Sequence, residues 1–322
     1  DNNIIYTVNG KNYLIIIDLL TNKVINKIKL SFLKNDSVVG IALSNNYLYL
    51  TTNTGKVSAV YKDGEESWTV NLLYPIQSAP LIDNNTLFVV ANNTVYALNI
   101  FSGDSLWEFQ GIENGISLSK AIIPTIYQNF LVVGLSNGTV LFIRKENGQL
   151  LWRYTLNKGG SLISNAIIAP PIIVNNGTNI LVGSFNSSTS LLNPLKNTAI
   201  WQNTNIGFIN APVLINNHIF IVDTTMSLNN LDLQDGKSYW TLLLPNTSKN
   251  LTFMKWFGPF LVNNNILVYN SNGEFHIVSP QSGNIIANFQ LNLSWFDNLT
   301  SAIAIVQEKI IVLGLKNIYI IE

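Results

Sequence analysis

Along almost the whole chain, short apolar runs alternate with breaks rich in Asn, Gly and Ser. The runs at 47–50, 87–90, 130–133, 180–182, 219–222, 266–269 and 310–313 consist mostly of Val, Ile, Leu, Tyr and Phe. Their length and their β-branched and aromatic bias predict strands. No segment carries the 3.6-residue periodicity of an amphipathic helix. The breaks have the chemistry of tight turns. Asn9-Gly10, Asn92-Asn93, Asn137-Gly138 and Asn272-Gly273 fall inside one class of hairpin, and Asn45-Asn46, Asn84-Asn85, Asn175-Asn176, Asn216-Asn217 and Asn264-Asn265 precede a strand. Asn and Gly tolerate the positive φ that two-residue hairpins demand.

A third turn reveals a repeat. Asp63-Gly64, Ser102-Gly103, Asn147-Gly148 and Asp235-Gly236 are each followed four residues after the Gly by Trp68, Trp107, Trp152 and Trp240. A looser copy ends at Trp201, and two copies without tryptophan lie at 21–25 and 282–286. Successive turns are 39 to 49 residues apart, a spacing of propeller blades with four strands each. Prolines 80, 124, 170 and 212 stand at or just before an inner strand, where no ladder donor is lost. The fold class is therefore all-β, a β-propeller of four-stranded antiparallel blades, in a single domain over residues 1–322.

The ends of the repeat refine the count. The N-terminus supplies a second, third and outer strand near 4–8, 13–18 and 24–30, with no inner strand before them. The C-terminus supplies an inner, second and third strand near 302–306, 309–313 and 318–321. Eight blades are favoured, the terminal two incomplete or closed by both termini; in the seven-bladed alternative, 302–306 completes the N-terminal blade. An incomplete blade leaves an edge that partners can extend by strand addition.

Composition changes the picture in one respect. Charged residues are only 11% of the chain, against about 25% in ordinary soluble domains, and the net charge is zero. Aromatic residues at 11% exclude disorder as the cause. A surface of amides and hydroxyls is insensitive to acid, which points to an extracellular or cell-surface protein of an acid-living organism. No apolar run is long enough to cross a bilayer, and no signal peptide opens the chain. The absence of a clustered basic face argues against nucleic-acid binding. Ten acceptor sequons, at Asn35, Asn84, Asn92, Asn137, Asn176, Asn186, Asn246, Asn250, Asn292 and Asn298, lie mostly on turns and connections and are candidate glycosylation sites.

The strand–turn–tryptophan unit, clearest in Tyr96-Ala97-Leu98-Asn99 followed by Ser102-Gly103 and Trp107, resembles the repeat of the pyrroloquinoline-quinone-type (quinoprotein-like) β-propellers. The resemblance spans essentially the whole chain. It implies an inter-blade packing role for Trp68, Trp107, Trp152, Trp201 and Trp240. Members of that family include quinone-dependent dehydrogenases and also non-catalytic scaffolds of bacterial outer-membrane assembly and of cell surfaces. The enzymes carry a vicinal cysteine pair, an acidic base and a calcium ion, and this chain has no cysteine.

The remaining chemistry is sparse. Asp63, Asp104, Asp235, Glu65, Glu66 and Glu146 flank the Xaa-Gly turn, and Asp18 and Asp232 end third strands, all turn positions. Asp223 and Asp297 do not fit the repeat. His218 and His276 lack the spacing of metal ligands. No serine has a nucleophile-elbow context, and Gly159-Gly160 lacks the setting of a phosphate loop. No catalytic, cofactor or metal residue is expected. The favoured function is a non-catalytic cell-surface module that binds other surface or envelope proteins. The alternatives are glycan or peptide binding by channel loops bearing Trp256, Phe257 and Trp295, and a divergent quinone-dependent dehydrogenase.

Overall fold

The structure, a computed structural model, describes residues 3–34, 36–44, 46–111, 122–156, 166–185, 188–245, 254–294, 297–306 and 309–321. Apart from a 3-10 turn at Ser31–Leu33, every regular element in them is a β-strand. The strands form eight antiparallel sheets, each built from strands consecutive in the chain, and the molecule is an eight-bladed β-propeller.

Blade one has three strands, β1 (Ile4–Val8), β2 (Tyr13–Asp18) and β3 (Lys23–Lys29). Blade two comprises β4 (Val38–Ser44), β5 (Tyr47–Thr52), β6 (Lys56–Tyr61) and β7 (Glu66–Asn71). Blade three comprises β8 (Leu81–Asp83), β9 (Thr86–Ala91), β10 (Thr94–Asn99) and β11 (Ser105–Gln110). Blade four comprises β12 (Thr125–Tyr127), β13 (Phe130–Gly134), β14 (Thr139–Arg144) and β15 (Leu150–Thr155). Blade five comprises β16 (Ile172–Val174), β17 (Asn179–Gly183), β18 (Thr189–Asn193) and β19 (Thr198–Asn203). Blade six comprises β20 (Val213–Ile215), β21 (His218–Val222), β22 (Ser227–Asp232) and β23 (Ser238–Leu243). Blade seven comprises β24 (Trp256–Val262), β25 (Asn265–Asn270), β26 (Glu274–Val278) and β27 (Ile285–Gln290). Blade eight again has three strands, β28 (Leu299–Val306), β29 (Lys309–Gly314) and β30 (Ile318–Ile321).

Residues 302–306 belong to β28 and pair with β29, so the seven-bladed arrangement is not adopted. The missing strands are the expected ones. In every complete blade the third and fourth strands are offset by a register shift, and β2–β3 has the same shift, which identifies β3 as a fourth strand. The β29–β30 pairing has none.

Turn chemistry sets these registers. Gly64, Gly103, Gly148, Gly236 and Gly283 take φ of 72–89° in the turn before the fourth strand, and Asn22 and Asn197 take φ 53° at the degenerate copies. Asn is the residue that best replaces Gly in the left-handed region.

The chain divides into two compact units: Asp1–Thr155 with Ala166–Pro171, holding blades one to four, and Leu156–Asn165 with Ile172–Glu322, holding blades five to eight. In the four-stranded blades the second and third strands are largely buried, as in β9 and β10, while fourth strands such as β11 expose alternate residues. Apolar side chains from neighbouring sheets interleave. Tyr49, Val57 and Ala59 of blade two pack on Leu87, Val89 and Leu98 of blade three; Phe220 and Val222 of blade six pack on Val268 and Val278 of blade seven. Close approach uses glycine. A Cβ on Gly183 would lie 2.1 Å from Phe208, and one on Gly134 2.5 Å from Ile167.

Candidate interaction surface

Four of the tryptophans tie a blade to the next one within its unit. The indole N–H of Trp68 donates to the Ile100 carbonyl at 3.2 Å, Trp107 to Lys145 at 3.0 Å, Trp201 to Leu233 at 2.9 Å and Trp240 to Pro280 at 3.2 Å. Each acceptor opens the Xaa-Gly turn of the following blade, and the Gly of that turn lies against the same indole. Trp152 stacks on Phe142 at 4.7 Å.

The residue just before the tryptophan position has the opposite fate. The register shift leaves it without a cross-strand partner, as in a β-bulge. Seven fourth strands share this feature, at Ile25, Ser67, Leu106, Leu151, Ile200, Tyr239 and Ile286. All but Ser67 are large apolar or aromatic side chains, and they stand 39–57% exposed. In blades one, three and five a second exposed apolar residue precedes the turn, at Leu20, Phe101 and Leu195. Single exposed apolar residues are ordinary, but here one recurs at the same structural position in six blades.

Asp223 and Asp297, unplaced by sequence, are repeat positions after all. Asp223 Oδ1 accepts the N–H groups of Thr225 at 2.8 Å and Ser227 at 3.1 Å, closing the β21–β22 hairpin. Asn9, Thr52, Ser184 and Asn270 do the same for the N–H four residues on, each at 3.0–3.1 Å. Asp297 is buried before β28 and accepts from the Lys316 N–H, the Asn317 amide and the Tyr319 hydroxyl at 2.8–3.0 Å. Asp36, buried before β4, is its counterpart, held by Thr54 at 2.5 Å and Lys56 at 2.6 Å. Burial raises the pKa of both carboxyls, but these hydrogen bonds outweigh it and hold them below the usual range.

These residues do not suit a quinone–calcium centre. The chain has no cysteine, and both unassigned carboxylates are committed to hairpin donors. Among the described residues no three acidic or histidine groups converge as a metal site. His218 bonds Asn230 at 3.0 Å, and the buried His276 bonds Glu274 at 2.8 Å.

Trp256 and Phe257 lie in β24 rather than a loop, and Trp256 is fully buried, so it offers no stacking face; Trp295 lies outside the described residues. Of the sequons, Asn84, Asn176, Asn292 and Asn298 are exposed, and Asn92 and Asn137 half-buried. Asn35, Asn186, Asn246 and Asn250 lie outside the described residues.

Sequence reasoning missed a cleft of about 300 Å³ in unit one, walled by the connection after β7 and by strands β10 and β11. Its lining comes from three separated segments, and its one local signal is the polar pairing of Thr94 and Tyr96 with Gln110 and Glu108 across the strands.

Consecutive antiparallel sheets, with indole–carbonyl bonds between neighbouring blades inside each unit, define a repeat β-propeller. The chain belongs to the family of the outer membrane protein assembly factor BamB, whose model matches residues 31–242. It is 23% identical over 256 residues to the outer membrane protein assembly factor BamB of Moranella endobia, covering 77% of this chain and 63% of that protein. With that of Yersinia pestis it shares 23% identity over 279 residues, covering 85% and 68%. The crystal structure of BamB from Moraxella catarrhalis superposes with a TM-score of 0.79 at 15% identity, covering 97% of this chain and 94% of that one, a likeness of fold. The chain thus spans somewhat under two thirds of the Moranella relative's length.

Proposed function

We propose that this chain is a non-catalytic protein-interaction scaffold of the cell envelope, serving outer-membrane protein assembly as the names of its relatives describe. One observation carries the reading: the exposed apolar residue at the bulge of six fourth strands. Within a unit such residues recur at the same strand position, as at Leu106 and Leu151, so a partner that buries them meets preformed strands with little ordering cost on the scaffold's side. Taking one half-exposed Leu or Ile out of water contributes about 1 kcal/mol, so binding rests on several blades together.

The incomplete blades extend the reading. In their sheets β1 is paired by β2 and β30 by β29, leaving one edge of each for a partner strand or for the chain's own continuation. Residues 1–322 then form one domain. An envelope location also suits glycans at the four exposed sequons, which an intact mass above 35.8 kDa from the native source would reveal.

The experiment is deletion in the native host, complemented by wild type or by Leu106→Ser/Leu151→Ser. The expected result is a fall in outer-membrane barrel proteins that wild type restores and the variant restores only partly. Unchanged barrel-protein levels on deletion would overturn the proposal.

A further inference from the structure

The cleft beside blade three has a chemistry that the bulge surface lacks. Its floor is Tyr96, only 5% exposed, which stands directly opposite Glu108 in the β10–β11 register. Burial, together with the nearby Glu108 carboxylate and Tyr74 hydroxyl, pushes the Tyr96 phenol up from its ordinary value. Leu73 projects from the opposite wall, 79% exposed.

Three features select the occupant. The first is charge: Glu108 is the one acidic residue of the lining, and no lysine, arginine or histidine lines the cleft. The second is surface: the rings of Tyr74 and Tyr96 and the apolar side chains of Leu72 and Leu73 suit a cation carried on an aliphatic stem. The third is hydrogen bonding: the Asn71 and Gln110 amides of the lining each have an oxygen able to accept beside the carboxylate, and a guanidinium has five donors and no acceptor. A volume of about 300 Å³ is at the small end of ligand sites, the scale of one long side chain rather than an extended ligand.

We propose that this cleft receives an arginine side chain of a partner protein, with Glu108 as its counter-ion and the tyrosine rings as its walls. The proposal deepens the scaffold reading by naming the partner's chemistry. Its test uses a small probe, so failure here leaves that reading standing, and failure of the envelope role leaves this test interpretable.

The probe is acetyl-arginine amide, titrated into the ¹⁵N-labelled protein while the Leu73, Thr94 and Gln110 amide signals are followed. Acetyl-citrulline amide, the neutral isostere, and methyl β-glucoside are the comparators. The expected result is saturable shifts at these amides with the arginine probe, and binding of the citrulline probe about tenfold weaker. Glu108→Gln should weaken the arginine probe and narrow its advantage over the citrulline probe, with the unfolding midpoint unchanged because Glu108 is exposed. Equal binding of arginine and citrulline probes by wild type would overturn the proposal. So would saturation by the glucoside alone, marking a sugar site, or no saturable shift at the solubility limit of the arginine probe.

Discussion

The indole N–H of Trp107 donates to the Lys145 carbonyl at 3.0 Å, and three residues after Lys145 the Cα of Gly148 lies flat against the same ring, where a Cβ would come within 2.7 Å of it. One contact thus reads the repeat twice, as hydrogen bond and as shape. Trp107→Phe should cost about 1 kcal/mol for the lost bond, and Trp107→Ala about 3 kcal/mol or more for the cavity as well. Urea unfolding of the two variants measures both, and a Trp107→Phe loss near zero would show that the hydrogen bond adds nothing beyond the ring.

Gly183 and Phe208 make a closer approach, and here the backbone carries no positive φ. Gly183→Ala should therefore destabilise by about 1–3 kcal/mol through overpacking alone. Combining it with Phe208→Leu should recover part of that loss, and strictly additive effects would refute the contact as the cause.

Acid should weaken the fold despite the low charge content. The Asp36 and Asp297 carboxyls sit below their ordinary value because hydrogen bonds outweigh burial. A depressed folded-state pKa gives stability that is complete above the unfolded value near pH 4 and is lost as pH falls through the lower folded value. Unfolding curves from pH 7 to pH 2 should fall off on the acid side, and Asp297→Asn should flatten that limb. A flat wild-type profile would restore the acid-indifferent surface expected from composition.

The bulge residues should contribute to binding rather than to stability. Leu106→Ser and Leu151→Ser should each stay within about 0.5 kcal/mol of wild type, in contrast to the neighbouring Trp107→Ala. Calorimetric unfolding compares them directly, and a loss near 2 kcal/mol would make these leucines part of the core.

The strand pattern, the blade repeat and the missing strands at both ends were legible in the sequence because each rests on local turn chemistry. A turn that needs positive φ selects Gly or Asn wherever it occurs, as Gly64 and Asn22 show. Side-chain roles shared across residue types were not legible. Asp223 looked foreign to the repeat because Asn9, Thr52, Ser184 and Asn270 fill the same place, and only the common N–H four residues on reveals the equivalence. Trp256 looked available for stacking, but its strand carries it into the interface of blades six and seven.

The sequence by itself determined that the chain repeats and how each repeat turns, since those depend on backbone preferences within a few residues. Tertiary structure alone decided that Leu106, beside the Trp107 that bonds to the next blade, is left without a cross-strand partner and meets water. It alone brought Tyr74, Tyr96 and Glu108 together around one cleft. Leu106 is left over only once β11 pairs with β10, and the cleft gathers segments far apart in the chain, so neither can be read from a residue and its near neighbours.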